Sequence, residues 1–363
     1  MLLRDVLPVL DAIAPLRHAE TWDNVGLLAG DPAAEIARAL LTIDCTPAVL
    51  DEAIARGAEL VVAYHPPLFD PIKSVPASSV LHRAIRAGVA LYSPHTAFDV
   101  APGGTNDLLA DVLGLGERAP LKLTPPREAQ CKLVTFVPEE HVEAVAQAVF
   151  DAGAGWIGNY SSCSFRSPGT GTFFGEEGAS PQVGQAGKLE RAPEIRVETV
   201  LPLSRQEAVI AALRKAHPYE EPAFDLLRLV ARPDGTGIGR FGVLARPTAR
   251  TELIERVKRG LGVTGLLVAG PTEGEVTRLG MCAGAGRGLL SDALAKRAEL
   301  FLTGELPHHD ALKAAAAGMT VVCALHSNSE RKALSRMKDR LEKEAAGLAV
   351  EISEVDRDPF VWR

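Results

Sequence analysis

Apolar positions open the chain at helical spacing. Val6, Leu10 and Ile13 fall on one face of the first sixteen residues, and Arg4, Asp5 and Asp11 interrupt the run. That pattern predicts an amphipathic helix and spoils the segment as a secretory leader core. Beyond it, short buried-strand runs alternate with helical ones. Leu40–Asp44, Leu60–Tyr64 and Val89–Tyr92 read as strands. Between them, Pro47 opens a helix at its favoured first position and Gly57 closes it, and Ser78–Ala87 is a helix ended by Gly88. A further helix, Thr105–Leu113, stops at Gly114. Strand, helix, strand in succession implies parallel pairing with right-handed crossovers, hence an α/β layer fold.

The last part of the chain resumes the same order. Helices are predicted over 252–260, 289–297, 309–317 and 330–344, and strands over 278–283, 300–302 and 320–325. The middle differs. There the pattern gives strand (Cys131–Val137), helix (Glu139–Ala152) and a Gly/Ser-rich section over 155–187. Strand (Arg196–Leu201), helix (Arg205–Ala216) and strand (Phe224–Val230) follow, with Ser204 and Glu207 spaced as a capping box. Two β-α-β passes suggest a ferredoxin-like α+β module, flanked by the Pro/Arg-rich joints TPPRE and ARPDGTG. The expected organisation is therefore a discontinuous α/β domain from residues 1–127 and 235–363, interrupted by an inserted α+β domain at 128–234.

A chain of 363 residues exceeds the usual size of one domain and should hold at least two cores. Its net charge of −7 argues against a nucleic-acid or anionic-membrane binder, which would want a basic face. No uncharged run reaches the roughly 18 residues of a membrane span. The longest, Ala314–Ser329, carries Gly318, His326 and Asn328. Five scattered cysteines with no CxxC suit reduced thiols in a cytoplasm and exclude a thiolate zinc site of the usual spacing.

The chemistry collects where predicted strands end. His65 follows one strand, His95 and Asp99 another, Glu305 a third and His326 a fourth. In an open parallel sheet all carboxyl ends lie on one edge, where ligands bind. His326 and Glu330 are four residues apart at a helix start and so share a face. Imidazole and carboxylate without thiolate suit zinc, manganese, iron, cobalt or nickel rather than calcium. A bridging carboxylate such as Asp99 would hold two metals about 3.5–4 Å apart, the spacing used to activate water for hydrolysis.

Four motifs in order carry a resemblance: WDNVGLLAGDP at 22–32, YHPPLFDPIKS at 64–74, SPHTAFDVAPGGTND at 93–107 and LTGELPHHDALKAAAAGMTVVCALHSNSE at 302–330. They are similar to those of the YbgI/YqfO family, the Nif-three-like or GTP cyclohydrolase 1 type 2 homolog proteins. The resemblance implies a toroidal homohexamer with a dinuclear metal centre, two divalent ions per subunit. His65, Asp99, His326 and Glu330 would be ligands, and His95 a ligand or its close neighbour. Tyr64, Asp23, Glu305 and His309 would support them. Many family members carry His-His where this chain has Tyr64-His65. A phenol is a poor ligand at neutral pH, so the second metal would be weaker here or His95 would take over. The middle segment, through GAGWIGNYSSCSFRSPGTGTFFGEEGASP and HPYEEPAFDLL, resembles the insert of long family members, similar in fold to PII and CutA regulators.

Two functions follow from this reading. One is a metal-dependent hydrolase acting on a nucleotide or phosphorylated small molecule, with Glu330 as its acid–base group. Lys73, Asn106 and Arg287 would then hold substrate, the last two within the glycine-bearing turns APGGTND and CAGAGRG. The other is a non-catalytic hexameric metal-binding or regulatory protein with the insert as sensor or partner surface. HPYEEP would place His217, Glu220 and Glu221 at a second site, or simply order a polar turn. His18, His82 and His141 follow no pattern and read as surface residues.

Overall fold

The computed structural model describes residues 1–124, 129–179, 181–230 and 235–361. The joints TPPRE and ARPDGTG lie largely outside them. Two compact units emerge, one built from both outer segments of the chain and one from the segment between.

The first unit contains two principal sheets. In the first, Ala90–Ser93, Leu60–Ala63, Arg38–Thr42 and Ala349–Ile352 lie parallel in that order, with Gly26–Ala29 antiparallel on the edge beside Ala90–Ser93. The C-terminal strand thus completes a sheet begun by the N-terminal half. In the second, Thr320–Cys323, Leu300–Glu305 and Glu275–Ala285 are parallel, flanked by antiparallel Leu267–Ala269 and Arg240–Ala249, with Arg118–Ala119 at the edge. The run Leu60–Ala63 is buried at every position, as a strand covered on both faces must be. The opening helix, Leu3–Ile13, buries Leu3, Val6, Leu10 and Ile13 in the same apolar cluster as Met337 and Leu341 of the helix Ala333–Glu344.

In the second unit, Gln130–Val137, Val142–Asp151, Ser164–Phe174, Leu189–Pro202, Gln206–Ala216 and Phe224–Arg228 follow one another as strand, helix, two strands, helix and strand. The strands pair antiparallel, with Phe224–Arg228 beside Gln130–Val137, then Leu189–Pro202, then Ser164–Phe174. Its own core joins Leu133, Val137, Val145, Val149, Val197, Leu201, Val209 and Leu213.

Several local expectations are corrected. The Gly/Ser-rich section contains the eleven-residue strand Ser164–Phe174. It is an edge strand, where Pro168 and its glycines are tolerated because only one side must pair. The helix at Gln206 is capped by Arg205 after a short 3-10 turn, Leu203–Arg205, so Ser204 is not its N-cap. The terminal helix is two helices, His326–Arg331 and Ala333–Glu344, separated at Lys332. His18 is buried, and His82 and His141 are half-buried rather than exposed.

Candidate metal centre

The carboxyl ends of the parallel strands in both sheets of the first unit supply one cluster. A single rim was expected; instead the two sheets contribute opposite halves. His65 follows Leu60–Ala63 and His95 follows Ala90–Ser93, both in the first sheet. Glu305 ends Leu300–Glu305, and His326 opens the short helix beyond Thr320–Cys323, both in the second. One nitrogen from each of His65 and His326 and one oxygen of Glu330 lie within 4.8 Å of one another. The His65 ring centroid is 5.3 Å from that of His326 and 5.4 Å from that of His95.

Each imidazole is held from behind by a carboxylate. His65 Nδ1 is 2.9 Å from Asp44 Oδ1, His95 Nδ1 is 2.8 Å from Asp23 Oδ1, and His326 Nδ1 is 3.1 Å from Glu305 Oε1. A carboxylate can only accept, so each Nδ1 carries a proton, and Nε2 is the nitrogen through which each neutral imidazole would bind a metal. Asp23 also accepts from the Thr96 backbone N–H at 3.2 Å and from its hydroxyl at 2.5 Å.

Two atoms are conspicuous. His65 Nε2 and Glu330 Oε2 are buried and 3.2 Å apart, and among the described residues neither makes a well-aligned hydrogen bond, to the other or to any third group. Buried polar atoms are normally paired. A nitrogen lone pair facing a carboxylate oxygen is unfavourable unless a proton or a cation lies between them. Without a cation the proton takes that role. Burial opposes a charge on His65, but Asp44 and Glu330 on either side push the imidazole up to about 10. Burial, reinforced by the negative charge of Glu330, raises Asp99 to about 6. Burial alone would raise Asp23, yet its hydrogen bonds with His95 and Thr96 hold it below the usual carboxylate range. Asp44 is likewise held low, chiefly by its bond to His65.

Backbone strain and missing side chains make the room. His95 has φ 27° and Leu325, just before His326, has φ 72°, a region non-glycine residues avoid at a cost of about 1–3 kcal/mol each. A Cβ on Gly284 would sit 2.7 Å from Glu330 Oε1 and 3.2 Å from His326 Nε2. Gly284 of CAGAGRG thus clears space beside the candidate ligands.

The remaining predicted residues divide. Asp99 is buried beside the trio, accepting a short hydrogen bond from the Tyr64 hydroxyl, which also lies 2.8 Å from Thr105 Oγ1. Asn106 was expected to hold substrate, but its amide is committed at both ends. Nδ2 donates to Asp99 O at 3.0 Å, and Oδ1 accepts from Ala283 N at 2.9 Å. It is a strut between the two sides of the cluster. Arg287 lies on the surface, its guanidinium 3.4 Å from Asp310, and Lys73 is exposed. His309 stands exposed beside His308 at a helix start. The turn at 101–107 does not offer a free anion site: the Asp107 carboxylate accepts the Gly103 N–H at 2.6 Å. In the second unit, His217 Nε2 is 3.0 Å from Phe136 O and Nδ1 accepts the Tyr219 N–H at 3.1 Å, so this histidine orders its turn. Asp44 and Thr105 were missed. Asp44 stands at the end of a predicted strand, the same position that singled out His65.

The whole chain has known relatives. The family model for Duf34/NIF3 (NGG1p interacting factor 3) matches residues 1–359. A Mycobacterium leprae protein named GTP cyclohydrolase 1 type 2 homolog is 40% identical over 366 residues, covering 99% of this chain and 94% of that protein. A Bacillus subtilis protein of the same name is 35% identical over 370 residues, covering 99% and 98%. Among solved structures, a Bacillus cereus protein related to NIF3 aligns with TM-score 0.66 at 34% identity, covering 100% of this chain and 99% of that one. Staphylococcus aureus SA1388 aligns with TM-score 0.76 at 26% identity and the same coverage.

Proposed function

Because the chain belongs to the Duf34/NIF3 family, we propose that its imidazole–carboxylate cluster is a metal centre serving hydrolysis of a nucleotide or a phosphorylated small molecule. The observation that carries this is the buried pair His65 Nε2 and Glu330 Oε2, 3.2 Å apart with no well-aligned hydrogen bond among the described residues. His65, His326 and Glu330 would hold one divalent ion, and Asp99 and His95 would serve a second. The donor set is nitrogen and oxygen only, since burial drives the nearby Cys282 thiol well above its ordinary range and keeps it neutral. That chemistry suits zinc, manganese, iron, cobalt or nickel.

A divalent ion held there would supply Lewis acidity toward water or a phosphoryl oxygen. The protein's own part is orientation and proton handling. Asp44, Asp23 and Glu305 fix the three imidazole tautomers, which leaves every Nε2 available. The acid–base role is assigned to Glu330, which is almost fully buried in the cluster. The substrate named in the relatives' label, GTP, belongs to those proteins; here it is one member of the proposed class. The reading extends to assembly: a homohexamer, with the second unit as a ferredoxin-like, PII- or CutA-like insert.

One observation favours a second reading. The Tyr64 hydroxyl donates to Asp99 and so engages one of the donors of the Asp99–His95 position. A single-metal binding or regulatory protein fits that arrangement. Metal analysis per chain, followed by hydrolysis assays on nucleotides and phosphoesters, separates the two. Two equivalents and turnover lost in His65→Ala and Glu330→Gln are expected. One equivalent without turnover above those variants would favour the binding protein, and no metal would sink the ligand assignment.

A further inference from the structure

Trp22 and Phe69 are 59% and 47% exposed, although indole and phenyl rings are the groups that burial favours most. Their exposure is not looseness. The residue after Trp22, Asp23, has its side chain fully buried and bonded to His95 and Thr96. Asn24 Nδ2 donates to Leu68 O at 2.5 Å, tying the Trp22 loop to the loop that carries Phe69. The two rings are 5.9 Å apart and inclined at 50°, so neither covers the other's face. Trp22 also stands edge-on to His95, centroids 6.1 Å apart at 75°. Two aromatic rings are thus pinned open on the rim of the cluster, one against a candidate ligand.

We propose that Trp22 and Phe69 are a stacking platform for a flat heteroaromatic ring, whose remainder passes His95 toward the metal centre. This rests on the hydrolase reading and narrows it: the substrate carries an aromatic base and is not a ringless sugar phosphate. A π-face matches a π-face without regard to hydrogen-bond pattern, which explains how the ring is held although no base-reading motif stands in the sequence.

The test compares guanosine 5′-monophosphate with ribose 5-phosphate, which share sugar and phosphate and differ in the ring. Binding is measured by calorimetry on the full-length metal-loaded chain, and the nucleotide is recovered afterwards to check that it is intact. The nucleotide is expected to bind and the sugar phosphate to bind at least about fivefold more weakly. Trp22→Leu and Phe69→Leu should each weaken nucleotide binding by a similar factor, and Trp22→Phe should recover most of it. Equal affinity for both probes, no nucleotide binding at millimolar concentration, or unchanged affinity in the Leu variants would each overturn the proposal. Unchanged affinity with an altered particle mass in Trp22→Leu would assign the rings to self-association instead. Binding through the pair in a protein that hydrolyses nothing would keep this inference and sink the hydrolase. Turnover of ringless phosphoesters, indifferent to the pair, would do the reverse.

Discussion

At the scale of single residues, Tyr64 decides what the cluster can hold. Its ring is fully buried and its hydroxyl lies between Asp99 and Thr105. Burial and the surrounding carboxylates push the phenol well above its ordinary value, so it stays protonated and donates to Asp99. An oxygen of Asp99 engaged in that way is a weaker metal donor than a free one. Tyr64→His should therefore raise the metal bound per chain, by freeing Asp99 and adding an imidazole. Metal analysis after dialysis checks this; an unchanged equivalent would show that Tyr64 does not limit the second position. The sequence made the strand-end donors legible because a polar residue directly after a buried run has one place to go. It could not reveal Thr105 or the bond between Tyr64 and Asp99, because those partners meet through tertiary packing across 41 and 35 residues of chain.

At the scale of elements, the helix His95–Val100 carries both candidate donors of the second position, and a buried arginine supports it. Arg240 Nη2 donates to Val100 O at 3.0 Å. Its Nε donates to Asp107 Oδ1 at 2.5 Å, and Nη1 to the carbonyls of Gly237 and Gly239 at 2.9 and 2.8 Å. One guanidinium thus fixes the C-terminal end of that helix, the next helix and the segment where the chain re-enters the first unit. Arg240→Met would leave Asp107 to Arg118, 3.2 Å away, and the Gly103 N–H, and would strand the buried carbonyls of Val100, Gly237 and Gly239, a change worth about 1–3 kcal/mol. Urea unfolding should show that loss, and metal retention on dialysis should fall with it. Arg240→Lys should recover only part, because an ammonium cannot serve three directions with a planar fork. Short elements like His95–Val100 escaped the sequence pattern because six residues give too little periodicity. The strand Ser164–Phe174 escaped it for another reason: it alternates no apolar face and is mostly exposed.

At the scale of the whole molecule, the two units should answer to different stimuli. Every candidate ligand lies in the first unit, contributed by both ends of the chain, so a bound metal stabilises that unit against unfolding and leaves the other untouched. The second unit has its own titrating group. Burial, only partly offset by the bond to Phe136 O, holds His217 below its ordinary value. Protonation would cost Nδ1 its bond from the Tyr219 N–H. A histidine with a lowered folded pKa contributes stability above its unfolded value near 6.5 and loses it as pH falls through the folded one. His65 in the metal-free first unit has the opposite sign. Raised to about 10, it contributes fully below 6.5 and loses that contribution progressively as pH rises from there to about 10. Calorimetric scans should then resolve two transitions. Chelator at pH 7.5 lowers only the first unit's. Acidifying the chelated protein from pH 7.5 to about 5.5 lowers the second unit's, and His217→Gln flattens that dependence while keeping a donor toward Phe136 O. Transitions that move together on chelation would mean that the metal is not confined to the first unit, and the assignment of the ligands to the two ends of the chain would fall with it.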